Sequence, residues 1–271
     1  MPLTLHPALP SDIPALVATA LSAFWYSGQD RVLLSRDPFK EETAEGEGGK
    51  KKGETIRGFF ERRYRDQWLE DADLRVMKVV ERRKSGSADR ADGENVAGGG
   101  RAGAGQGEAE AEGQGDWVGE KVVAAARWHF YLAGSTEGRE PEEKGGKVED
   151  KKTEYPEGIR GGMLNELSAT TKRYRREIMG DNPYILLSSL ATEPAHHRKG
   201  AGSMLLKWGT ERADGAGLPM YIESTEMGKP LYEKFGFETV HVMETDLATF
   251  GGRGKDKRYL MIRTPRERHV V

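Results

Sequence analysis

The sequence predicts a mixed α/β (α+β) fold: one sheet, with some strands joined in hairpins and others by crossover helices. Three observations predict it. Short apolar strand-like segments alternate with amphipathic helical segments along most of the chain. Two of the strand-like segments face each other across a Gly-rich stretch, as hairpin partners would. A buried strand runs straight through a glycine-containing loop into a helix, as a crossover connection requires.

The elements follow in order. Leu3–His6 reads as a short strand. Ser11 is the expected N-cap of a helix through Tyr26, with Asp12 and Pro14 in its first turn. Ile56–Leu69 places Ile56, Phe59, Phe60, Tyr64 and Trp68 near one helical face. Leu74–Glu81 and Lys121–Tyr131 read as the hairpin strands. Met163–Met179 reads as a helix with Leu164, Leu167, Tyr174 and Ile178 on its apolar side. Tyr184–Ala191 is a strand after the turn Gly180-Asp181-Asn182-Pro183. A polar loop, Thr192–Gly200, leads to a helix over Ala201–Ala213. Pro219–Ser224 is a strand, Lys229–Phe235 a short helix with Gly236 suited to its end, and Phe237–Asp246 and Arg258–Arg263 two more strands.

Composition sets the outer limits. The chain has 271 residues, and 42 Lys plus Arg against 44 Asp plus Glu leave a net charge of -2. That balance argues against a nucleic-acid binder. With no Cys, the chain has no disulfide framework, thiolate metal site or cysteine nucleophile. Hydrophobic residues make up only 36%, so part of the chain stands outside any core. Three stretches account for this: 41–53, 85–116 and 134–161. The second has ten Gly in its 32 residues and Val96 as its one large apolar side chain. All three are expected to be flexible insertions in surface loops, where added length costs little. Setting aside their 13, 32 and 28 residues leaves 198, the size of one domain. Ile13–Tyr26 has the length of a signal-peptide core, but Asp12 precedes it where a basic residue is expected, and it is too short to span a bilayer. The expectation is a soluble cytoplasmic protein without membrane contact.

The chemistry concentrates in TEPAHHRKGAGS. Gly200 and Gly202 allow backbone conformations that turn several N–H groups into one concavity. The following helix adds unpaired N–H donors and a partial positive charge, and Arg198 and Lys199 add full charges. Together they suit an anionic phosphate group. Lys199 stands before the glycines, so the loop is not a nucleotide-hydrolysing phosphate loop. Leu205 stands where a dinucleotide fingerprint needs a third small residue.

The segment ATEPAHHRKGAGSMLL resembles the acetyl-coenzyme A loop of the GNAT acetyltransferase superfamily, [QR]-x-x-G-x-[GA]. PMYIEST and LYEKFGF follow in that family's order, and LTLHPALPSDIPALVATALSAF resembles its first strand and helix. The resemblance covers nearly all of the ordered core, and GLPMYIES and PLYEKFGF are most similar to the branch containing puromycin N-acetyltransferase. His197 departs from the pattern, which has Gln or Arg there.

The resemblance implies a mostly antiparallel twisted sheet with helices on both faces, forming a single domain over 1–271. It implies a strand that splays at Leu190, Ala191 and Thr192 to pair with the pantetheine arm. His197, Arg198, Lys199, Gly200, Ala201, Gly202 and Ser203 would hold the pyrophosphate. The reaction would be direct attack of an amine, in a small molecule or a protein or peptide, on acetyl-CoA. A domain that only binds acyl-CoA is the alternative outside catalysis.

The resemblance makes Tyr232 of LYEKFGF the general acid, since family members carry a Tyr at this motif position that protonates the departing thiolate, and a phenol's ordinary pKa of about 10 is near that of a leaving alkyl thiol. The base is open between Glu223, Glu193, Glu166 and a water chain, with Glu223 first. No metal is expected, because adjacent His196 and His197 cannot converge on one ion. The acceptor favoured is a small-molecule amine, and no nucleic-acid partner is expected. Trp68, Trp128 and Trp208 read as packing, and Lys50–Lys52 and Lys151–Lys152 as charges balanced by nearby acids.

Overall fold

The computed structural model describes residues 2–26, 54–84, 117–132, 152–251 and 254–266. Twelve principal elements run along it: β1 (Leu3–Pro7), α1 (Ile13–Tyr26), α2 (Ile56–Glu70), β2 (Leu74–Lys84), β3 (Trp117–Tyr131), α3 (Gly161–Met179), β4 (Tyr184–Thr192), α4 (Ala201–Ala216), β5 (Met220–Thr225), α5 (Lys229–Lys234), β6 (Glu238–Asp246) and β7 (Lys255–Arg263). Their order is the one the sequence predicts, with ends shifted by a few residues.

The strands form one sheet in the order β1-β2-β3-β4-β5-β7-β6. Every neighbouring pair is antiparallel except β4 and β5. That parallel pair needs a crossover, and α4 provides it.

The two faces of the sheet bury different helices. On one, Met77, Ala124, Ala126, Trp128, Ile185, Leu187, Met220 and Ile222 pack against Ala201, Leu205, Leu206 and Ala213 of α4. On the other, α1 packs Leu16 on Leu74, Val76 and Ala125. Met179 of α3 packs with Tyr131, Tyr184, Leu186 and Tyr221 on that same side. Gly209 shows how close α4 lies: a Cβ there would come within 2.5 Å of the fully buried Trp128 ring.

Two local expectations are corrected. Ser11 lies inside a short 3-10 turn, Pro10–Asp12, that leads into the first helix, and Asp12 closes that turn: its carboxylate accepts the Leu9 N–H at 2.7 Å and pairs with Lys78 Nζ at 2.8 Å, tying the helix entry to β2. The stretch 134–161 is not an insertion throughout. Its last ten residues are packed: Tyr155 meets the Phe59 ring at a tilt, with ring centroids 5.3 Å apart. Asn165 of α3 exchanges two 3.0 Å hydrogen bonds with the Thr153 backbone, which docks the segment on α3. The stretches 41–53 and 85–116, and 134–151 of the third, lie outside the described residues.

α1 buries Ile13, Leu16, Val17 and Leu21, so its apolar run belongs to the core. Among the described residues no helix is long and apolar enough to cross a membrane.

Candidate active site

The sheet parts between its two parallel strands. β4 and β5 pair only at Ile185↔Met220, Leu186↔Tyr221 and Leu187↔Ile222. Beyond Leu187, β4 stays with β3 as far as Thr192, while β5 stays with β7 as far as Thr225. A bulge marks the parting: Leu187 pairs with Trp128 and Ser189 with Arg127, leaving Ser188 as the extra residue. Such a bulge bends and twists its strand, which turns β4 away from β5. Leu190, Ala191 and Thr192 thus pair with β3 and lie beyond the last β4–β5 pair.

The loop after β4 is pinned at its start. His196 is buried, with Nε2 3.2 Å from Glu81 Oε2 and Nδ1 2.9 Å from Glu193 Oε2. Glu193 also pairs with Lys121 at 2.7 Å. These contacts fix the loop to β2 and β3 and occupy Glu193, which leaves the list of bases. Glu166 is exposed on α3. His196 and His197 point to different partners, His197 donating from Nε2 to the Thr192 carbonyl at 2.9 Å. Among the described residues no group of three or more His, Cys, Asp or Glu side chains gathers as metal ligands.

From His197 to Gly200 the chain is exposed. Arg198 has φ 61° and Gly200 φ 92°, so two residues of the turn hold left-handed backbone. The turn delivers the chain into α4, whose first N–H groups, including those of Gly202 and Ser203, have no partner within the helix. Gly202 faces the end of β4 and α5: a Cβ there would lie 3.2 Å from Leu231 Cδ2 and 3.6 Å from Leu190 Cδ2. The helix start is thus seated against the mouth of the parted strands with no side chain in between. An anionic diphosphate fits a cradle of this donor chemistry.

Tyr232 lies on α5 on the α4 side of the sheet. It is 6% exposed, its ring meets Phe237 edge-on at 5.8 Å, and it packs over Gly228, where a Cβ would come within 3.0 Å. Burial pushes its phenol well above the ordinary tyrosine range, so it stays protonated at neutral pH but is a weaker acid than the match with a leaving thiol expected from the sequence.

Glu223 lies on β5, directed to the opposite face by strand alternation with Ile222 and Ser224. Its side chain is 19% exposed, and Oε1 lies 3.7 Å from Arg175 Nη1 of α3. The buried Tyr221 hydroxyl is its neighbour on the same strand. Burial raises the Glu223 carboxyl above the usual carboxylate range, against the charges of Arg175 and Arg258. A carboxyl so placed is a better proton acceptor than a surface one.

The same face holds a group that motif reading missed. His129 of β3 has Nδ1 2.5 Å from Asp71 Oδ2 and Nε2 2.9 Å from Oγ of Ser188, the bulge residue. Asp71, His129, Ser188 and Arg175 come from four separate segments, each unremarkable in sequence.

The family profile described as an acetyltransferase (GNAT) domain matches residues 167–239. That interval holds the end of α3, the parted strands, the loop and Tyr232. A curated relative from Ajellomyces capsulatus, described as "Probable acyltransferase SID5", is 36% identical over 53 residues. The match takes in 20% of this chain and 39% of the relative's length. A solved structure from Corynebacterium glutamicum, described as histone acetyltransferase HPA2 and related acetyltransferase, has a TM-score of 0.48 at 17% identity, with 100% of both chains covered. The ribosomal-protein-S18-alanine N-acetyltransferase of Escherichia coli has a TM-score of 0.41 at 10% identity, covering 100% of this chain and 99% of its own.

Proposed function

We propose, from the premise that this chain carries a GNAT acetyltransferase domain, that it moves the acetyl group of acetyl-CoA to a primary amine of a small molecule. The observation that carries the reading is the opening between β4 and β5, which leads onto the glycine turn at the start of α4. The backbone N–H groups from His197 to Ser203, with Arg198 and Lys199 beside them, would receive the pyrophosphate. The unpaired edge at Leu190, Ala191 and Thr192 would receive the pantetheine amides. Acetyl-CoA brings the thioester, and the chain aligns it and handles protons.

The amine forms a nitrogen–carbon bond at the thioester carbonyl, and the carbon–sulfur bond then breaks. The sulfur takes the phenolic proton of Tyr232. An acceptor that arrives as an ammonium loses one proton before attack and a second after it. Glu223, with its raised affinity for a proton, takes the first. Acid and base stand on opposite faces of the sheet, as a reaction through the gap requires: amine from the α3 side, thiol leaving on the α4 side. The small-molecule acceptor rests on the similarity of GLPMYIES and PLYEKFGF to the puromycin-type branch. We read 1–271 as one such domain, acting in the cytoplasm.

The test is calorimetric binding of acetyl-CoA and CoA, followed by thiol release with puromycin, spermidine and an alanine-first peptide. Binding with release from a small amine supports the reading. Release from the peptide alone moves the acceptor to protein. Binding without release leaves an acyl-CoA-binding domain, and no binding overturns the assignment of the loop.

A further inference from the structure

We propose that Asp71, His129 and Ser188 form a proton relay that takes the second proton from the acceptor nitrogen, with Ser188 as the group that touches the amine. The proposal rests on the transferase reading and adds to it a base no motif announces.

The hydrogen-bond logic settles the direction of transfer. Asp71 ends α2, and its Oδ1 already accepts the Asp73 N–H at 2.9 Å. Its Oδ2 can only accept, so His129 carries its hydrogen on Nδ1 and turns the Nε2 lone pair to Ser188. With the ring neutral, the Ser188 hydroxyl donates to Nε2. A second acceptor waits beside it: the Arg127 carbonyl, 3.3 Å from the same Oγ. Once Nε2 is protonated it donates to Oγ, and the hydroxyl donates to Arg127 instead. Both states of the relay are fully hydrogen-bonded, so neither has to be strained.

Place supports the chemistry. Ser188 is the extra residue at the point where β4 leaves β5, and it is exposed while Tyr184–Leu187 before it are buried. Behind it His129 is 12% exposed. The groups facing the ring are Asp71 at the α2 end, Arg127 on its own strand, Arg175 from α3, and the Tyr131 ring stacked at 6.1 Å and 14°. Arg127 is itself held by Gln67 and lies over the Tyr64 ring at 4.5 Å. Burial first, then these two arginines, outweigh the Asp71 carboxylate and lower the ring's pKa, so it stands ready as a neutral base at pH 7.

In the step itself, the nitrogen of the newly formed N–C bond gives its proton to Ser188 Oγ. Ser188 passes its own proton to His129 Nε2, and the imidazolium rests against Asp71. The imidazolium then gives its extra proton back through Ser188 to solvent. Glu223 likewise sheds the proton it took, and Tyr232 takes one up again. Of the two protons that leave nitrogen, one is thus balanced by the proton on the thiol and one is released. Asp71 acts as a positioning residue through the ring.

The experiment is amine-dependent thiol release by wild type, His129→Gln and Ser188→Ala, each first shown to bind acetyl-CoA. We expect kcat to fall roughly 10²-fold in both variants, with acetyl-CoA affinity unchanged. Imidazole should restore activity to His129→Gly, which a merely structural ring would not allow. Wild-type release with an unchanged rate in Ser188→Ala, or a His129→Gly variant that imidazole does not rescue, overturns the relay and leaves the transferase reading intact. No release from wild type with any of the three amines overturns both.

Discussion

The two faces of the sheet build their chemistry from different material. On the α4 face the site is mostly backbone: left-handed residues at 198 and 200, the free N–H groups of a helix start, and a glycine that lets the helix sit against Leu190 and Leu231. On the α3 face it is side chains: Glu223 and Arg175, and Asp71 with His129 and Ser188. Backbone sites tolerate changes of side chain but not of bulk or φ. Side-chain sites tolerate neither loss nor a change of charge. The α4 face also carries the acid proposed above, the Tyr232 side chain, so the contrast can be broken as well as sharpened.

Tyr232→Phe gives the largest expected effect. Removing the phenolic oxygen takes away the proton donor and leaves the ring against Phe237. Turnover should drop by about 10²–10⁴-fold with acetyl-CoA affinity retained. Undiminished turnover in a steady-state assay would make the α4 face purely a binding surface.

Next comes the ion pair that anchors α4 at its other end. Arg263 of β7 is 3% exposed and meets Asp214 at 2.7 and 2.8 Å. Asp214→Ala leaves that guanidinium buried without its partner and should cost about 3 kcal/mol in denaturant unfolding. The Arg263 hydrogen bonds, then the Arg266 N–H, hold the Asp214 carboxyl below the usual range. A depressed carboxylate stabilises fully above its unfolded-state pKa, and the contribution is lost as pH falls through the folded value. The stabilities of wild type and Asp214→Asn should therefore converge on acidification. A gap that widens toward low pH would refute the ion pair as its source.

Gly202→Asp tests the backbone side directly. Its Cβ would stand 3.2 Å from Leu231, and its charge would oppose a phosphate. Affinity for acetyl-CoA should fall roughly 10–100-fold by calorimetry. Unchanged affinity would remove the loop from the site.

The same contrast explains what the sequence disclosed. The element order and the Gly200–Gly202 turn were legible because helix periodicity, strand alternation and turn chemistry are local. The short helix that carries Tyr232 was legible from its apolar spacing and the Gly236 that follows it. The Asp71–His129–Ser188 group was not, since residues separated by 58 and 59 positions meet only after the sheet forms. Ser188 acquires its place from a bulge, which no residue type in YILLSSLA announces. Ser11 misled for the opposite reason: it suits an N-cap, but Asp12 reaches both Leu9 and Lys78, a tertiary partner that cap rules do not weigh. Residues 152–161 misled because their composition is that of a loop, whereas Tyr155 and Ile159 find apolar partners on distant elements.

The smallest expected effect is the sharpest test of the contrast. His197 stands at the first position of the loop, where the family pattern has Gln or Arg. Its side chain is exposed and turned back to the Thr192 carbonyl, so it braces the turn and does not face outward as a phosphate ligand would. If backbone N–H groups hold the pyrophosphate, His197→Ala removes one exposed hydrogen bond, worth at most about 1 kcal/mol. Acetyl-CoA affinity should then weaken by about threefold, far less than for Gly202→Asp two turns of chemistry away. The bracing role adds a second expectation. Because the bond to Thr192 closes the loop on the strand that would pair with pantetheine, His197→Gln, which can donate to the same carbonyl, should recover most of that loss. A large loss in His197→Ala that Gln does not repair would mean that the imidazole itself grips the phosphates, and the α4 face would then be a side-chain site like its opposite.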